Sequence, residues 1–110
     1  MIEKTISEIE AKIGGTETVT PAQKQELLQL LATLKTEVGT LAKTHGEAAD
    51  SIAGFVRMSA HEATREHQDP ELRALSLQGL RSSVTGFETS HPHLAQLVGR
   101  ISQTLADLGI

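Results

Sequence analysis

Apolar residues return every three or four positions along most of the chain, and that spacing restricts what it can fold into. Ile2, Ile6, Ile9 and Ile13 step by four, three, four. Leu27, Leu31, Leu34, Val38 and Leu41 keep the rhythm, as do Leu77, Leu80, Val84 and Phe87. Leu94, Leu97, Val98, Ile101, Leu105 and Leu108 form the last stripe. A helix turns once per 3.6 residues, so each set lines one face, whereas a half-buried strand would need alternation by two. No period-two run of β-branched or aromatic residues stands between hairpin turn signals. The expected fold is all-α: four or five helices in an antiparallel, coiled-coil-like bundle with near-zero strand.

Three prolines divide the pattern, each after a residue suited to a helix N-cap: Thr20-Pro21, Asp69-Pro70 and His91-Pro92. Proline fits the first helical position, where its missing N–H would have no partner, and it pushes the preceding residue out of helical dihedrals. Thr20-Pro21-Ala22-Gln23 also fits a capping box. Gly14-Gly15 and Gly109 read as C-terminal stops. The 110 residues suffice for one domain, 1–110, with helices predicted at 2–13, 21–43, 45–67, from 70 to a stop offered by Gly86, and 92–108.

The stripe of the second helix continues in phase through His45, Ala48, Ile52 and Phe55, which favours one long helix over 21–67. Against it, Gly39, Gly46 and Gly54 each cost roughly 1 kcal/mol in a helix interior. Thr44-His45-Gly46-Glu47 offers a second capping box, so a kink or break near 44–46 is the alternative. A continuous helix would reach about 70 Å, more than the shorter helices can cover. A second copy would then be needed to bury the wide leucine face, and Leu27, Leu31, Leu34, Val38 and Leu41 are the predicted homodimer interface.

Charge and composition narrow the function classes. The net charge is −4, all five lysines lie at or before Lys43, all five arginines at or after Arg57, and the acids are interleaved. Such a chain has no basic stripe for phosphates and no Trp or Tyr for stacking bases, so neither nucleic acid nor a membrane surface is an expected partner. The absence of cysteine closes thiolate metal sites, disulfides and cysteine nucleophiles. The acidic residues of the first turns fit neither a signal peptide nor a membrane span, and the expected compartment is the cytoplasm.

The five histidines are the main source of chemistry. His61-Glu62-Ala63-Thr64-Arg65 departs from a zinc-protease motif, because Arg65 stands where the second ligand belongs. Glu62, Arg65 and Glu66 read as a solvated charge network. Glu88-Thr89-Ser90-His91 has the Glu-x-x-His spacing of di-iron bundles, but in a single copy at a helix boundary, where His91 reads as a cap. His93 should then lie exposed in the first turn. His45, on the apolar stripe, reads as a satisfied core group or a register device. No nucleophile elbow or phosphate loop is present, and neither a catalytic residue nor a cofactor is expected.

Phe87-Glu88-x-x-His91-Pro92-x-Leu94, with Leu105-x-x-Leu108-Gly109-Ile110 after it, resembles the C-terminus of a bacterial family catalogued as domain of unknown function 4404. Ser51-Ile52-Ala53-Gly54-Phe55, His61-Glu62-Ala63-Thr64-Arg65 and Pro70-Glu71-Leu72 extend the similarity over most of residues 25–110. The resemblance implies a small helical protein without an assigned reaction. It also implies that the fourth helix continues to Glu88, giving 70–88. The functional expectation is a non-enzymatic structural or protein-interaction module that homo-oligomerises and docks a protein partner. The alternative is a bundle binding a small ligand or metal through Glu88, His91 and His93, with His61 or His67.

Overall fold

A computed structural model describes residues 2–108, which form five helices and no strand. They are α1 (Ile2–Gly15), α2 (Pro21–Ala42), α3 (Gly46–Ala63), α4 (Pro70–Ser83) and α5 (Pro92–Leu108). Two of the proline starts carry the expected caps. Thr20 Oγ1 accepts from the Gln23 amide while Gln23 Oε1 accepts from the Thr20 amide, closing the capping box of α2. Asp69 Oδ1 accepts from the Leu72 amide at the start of α4.

The helices run alternately up and down. Glu3 lies beside Gly39, and Glu10 pairs with Lys35 at 2.7 Å, so α1 and α2 are antiparallel. One groove joins Ile2 and Thr5 to Asp50 and Ala53, while Lys12 reaches His61 farther along; α3 therefore runs parallel to α1. The short 64–69 connection returns α4 antiparallel to α3. A cleft with Glu37 and Thr33 on one wall and His93 and Arg100 on the other places α5 against α2.

The long helix is interrupted. The chain turns at Lys43–His45, where the Thr44 and His45 amides both donate to the Leu41 carbonyl. The reversal lets α3 pack back on α2, and the molecule's longest dimension is 37 Å, half of what an unbroken helix would need. The wide leucine face consequently finds its cover inside one chain. Leu27, Leu31, Leu34, Val38 and Leu41 are all at most 2 % exposed and share one core with Ile6, Ile9, Ile13, Ile52, Leu80, Leu94, Ile101 and Leu105. This corrects the reason for assigning them to a dimer interface: α1, α3 and α5 pack against α2 and supply the surface a second copy was needed for.

Two other boundaries differ from expectation. α4 stops at Ser83 instead of reaching Glu88, because Gly86 adopts a positive φ of 98°, a left-handed conformation that ends helical winding. α3 ends at Ala63, four residues short of His67, and the Thr64 hydroxyl folds back onto the Ala60 carbonyl at 2.7 Å.

Among the described residues, the Ser59 and Ser102 hydroxyls are buried without a hydrogen-bond partner. Such a group carries a desolvation cost of about 1–3 kcal/mol with nothing to offset it. Ser102→Ala is therefore expected to raise the midpoint of chemical denaturation, corresponding to roughly 1 kcal/mol. A lowered midpoint would show that the hydroxyl has a partner in solution.

Candidate interaction surface

Gly79 of α4 receives the Phe55 ring of α3. A methyl group at Gly79 would run into the Phe55 ring, so the ring of α3 lies over α4 there because residue 79 has no side chain. Phe55 itself is half-buried against the core. From this contact the antiparallel register can be followed outward. Residues farther along α3 than Phe55 lie toward residues of α4 that precede Gly79.

Met58, Leu72 and Leu75 are the exposed large apolar side chains among the described residues, at 51 %, 44 % and 56 % exposure. They lie on α3 and α4, and Met58 also lines the groove between α1 and α3. Scattered surface leucines need no explanation, whereas apolar side chains collected on one face mark a surface that meets another molecule. Leu72 and Leu75 carried a signal in the sequence, since they lie off the stripe that continues through Leu77 and Leu80. Met58 carried none.

One end of the strip is bounded by charge. Arg65 Nη1 donates to Glu62 Oε1 at 2.8 Å. The predicted pair exists, but Glu62 is buried and only Glu66 lies fully in solvent. Glu62 raises the Arg65 pKa, first through that hydrogen bond and then through its charge. Arg65 reaches solvent, which screens the pair and keeps its contribution to stability small.

The histidines are dispersed. His45 is exposed at the N-cap of α3, where its ring stands edge-on to Phe87 at 5.4 Å and to His91 at 6.1 Å. It is neither a core group nor part of a capping box. His91 packs on Phe87 at 5.6 Å, with Nδ1 3.0 Å from the Ser90 hydroxyl. The Glu88 carboxylate is turned back onto the Gly86 amide at 2.7 Å, and exposed His93 lines the cleft with Thr33, Glu37 and Arg100. Glu88, His91 and His93 thus face separate surroundings. Among the described residues no group of three or more His, Asp or Glu side chains is arranged to hold a metal ion. His61 receives a 2.7 Å contact from Lys12 Nζ, beside a groove of about 460 Å³ between α1 and α3. Sequence gave no sign of this pairing, because the partners lie 49 residues apart.

A family model for a domain of unknown function, DUF4404, matches residues 27–110. The chain belongs to that family. No curated protein and no solved structure matches it. The DUF4404 match takes in α3, α4, α5 and α2 from Leu27 onward. It contains the whole apolar strip, the Glu62–Arg65 pair and the His45–Phe87–His91 ring cluster, and leaves α1 outside. No helix of the described residues is long and apolar enough to cross a membrane.

Proposed function

We propose that this DUF4404 protein is a non-enzymatic interaction module that self-associates through the outer face of α3 and α4. The observation that carries the reading is the exposure of Met58 on α3 and of Leu72 and Leu75 on α4, two helices that pack against each other. The non-enzymatic part is supported by the dispersal of the histidines and by the engagement of Glu88 with its own backbone. Three side chains form only the apolar centre of an interface, and a standard one buries about 800 Å² per partner. The association is accordingly weak and rises with concentration.

Sedimentation velocity tests it directly. The wild-type chain is expected to shift from monomer toward dimer over tens of micromolar, and Leu75→Glu to remain monomeric with an unchanged helical signal. A wild-type monomer throughout that range would refute self-association, and a Leu75→Glu dimer would refute the surface.

A further inference from the structure

The groove between α1 and α3 has charged walls and an apolar floor. On α3 it is lined by Gly54, Arg57, Met58 and His61, at positions i, i+3, i+4 and i+7, a spacing that sets all four on one face of the helix. On α1, Glu8 and Lys12 stand about one turn apart along the other wall. Buried Ile9 and Ala60 form the floor. Gly54 keeps the groove open, because a Cβ there would meet nothing within 4 Å. A smaller hollow of about 280 Å³ adjoins it across Gly54 and Arg57. The main volume, about 460 Å³, falls within the range of small-molecule sites, about 300–1,000 Å³.

Most polar groups on these walls are donors. Lys12 Nζ lies 2.7 Å from His61 Nδ1. An ammonium can only donate, so Nδ1 accepts, and the ring proton sits on Nε2 as a further donor. Arg57 is exposed and has no hydrogen-bond or ion-pair partner among the described residues, which leaves its whole fork unused. It stands one turn before His61 on the same face, so the three donors gather within one turn. Glu8 is the one carboxylate of the walls, and Lys12 and Arg57 outweigh it by one positive charge. We infer that the groove binds a small organic anion with an apolar body. Arg57, Lys12 and His61 take the anionic group, for which the planar guanidinium is suited, and the body lies over Ile9 and Ala60. Met58 at the rim has a flexible thioether that adapts to the body's shape. A floor of two apolar side chains fits a small molecule better than a partner helix, which would lay down a stripe several turns long. The site does not involve Leu72 or Leu75 and is independent of the self-association proposed above.

Two fluorescent dyes titrated into the full chain test the inference. Anilinonaphthalene sulfonate is an apolar ring system with one anionic group, and phenylnaphthylamine is the same body without the charge. The sulfonate should bind saturably at one site per chain, and the neutral dye more weakly. Arg57→Gln removes an exposed charge and should weaken the sulfonate about tenfold, the factor of one charge-assisted hydrogen bond, while changing the neutral dye by less than about twofold. Gly54→Leu fills open space and should abolish binding of both dyes while keeping the wild-type helical signal. Leu75→Glu should bind both as wild type does, which separates the groove from the outer face of α3 and α4. The inference falls if the sulfonate does not bind saturably, if Arg57→Gln weakens both dyes equally, or if Leu75→Glu abolishes binding. It falls equally if Arg57→Gln or Gly54→Leu, folded by circular dichroism, binds the sulfonate as wild type does.

Discussion

Leu34→Asp is expected to unfold the chain, read as loss of the helical far-ultraviolet circular dichroism signal. Leu34 is fully buried in the middle of α2, in a core shared by all five helices. Leu→Ala at such a site costs about 2–5 kcal/mol from lost contacts and the cavity left behind. Aspartate adds the cost of placing a carboxylate among apolar side chains with no partner, which is several kcal/mol more. A domain of this size has a total stability of about 5–15 kcal/mol, so the sum removes most or all of it. The result separates two accounts of one stripe. Were Leu34 buried only between two copies, aspartate would yield a folded monomer with a cooperative unfolding transition. Circular dichroism and sedimentation on the same sample distinguish these outcomes, and a folded monomer would overturn the intramolecular core described above.

The stripe was legible in the sequence, but what covers it was not. Spacing by three and four identifies a face to be buried, because burial against any apolar surface leaves the same periodicity, but for α3 it named His45, Ala48, Ile52 and Phe55, whereas the buried face runs through Ala49, Ile52, Val56, Ala60 and Ala63. The chain reversal at Lys43–His45 left no such mark. His45, Ala48, Ile52 and Phe55 stay in phase with α2, and only the glycines at 39, 46 and 54 and the capping signature at Thr44-His45-Gly46-Glu47 argued for a break. The misplacement of His45 follows from that single choice: on a continuous helix it points inward, whereas at the start of α3 it meets Phe87 from the surface. Gly86 was the reverse case. Its composition offered a stop, the family resemblance argued for continuation, and the left-handed backbone agrees with the local chemistry. The apolar strip was half visible, as leucines at 72 and 75 off the main stripe. Met58 stands on α3 about one turn beyond Phe55, whose ring lies over Gly79 of α4.

That glycine makes the second large effect testable. Gly79→Ala should lower stability even though alanine is favoured over glycine in a helix interior by about 1 kcal/mol. The added methyl meets the side of the Phe55 ring, two of whose carbons would lie only 2.6 and 3.0 Å away. The ring is held against the core, so relief requires expelling it or spreading α3 from α4, and overpacking of this kind costs about 1–3 kcal/mol. Removing the obstacle should reverse the sign. In a Phe55→Ala background, Gly79→Ala should stabilise by about 1 kcal/mol, the propensity gain alone. The double-mutant cycle, followed by chemical denaturation, then yields a coupling near 2 kcal/mol. A coupling near zero would mean that the Phe55 ring does not lie over residue 79. The same substitution bears on association, because spreading α3 from α4 reshapes the outer face that carries Met58, Leu72 and Leu75 without removing any of them. Gly79→Ala should therefore weaken the concentration-dependent dimer while leaving a folded monomer, an outcome that ties the strip's shape, and not only its hydrophobicity, to self-association.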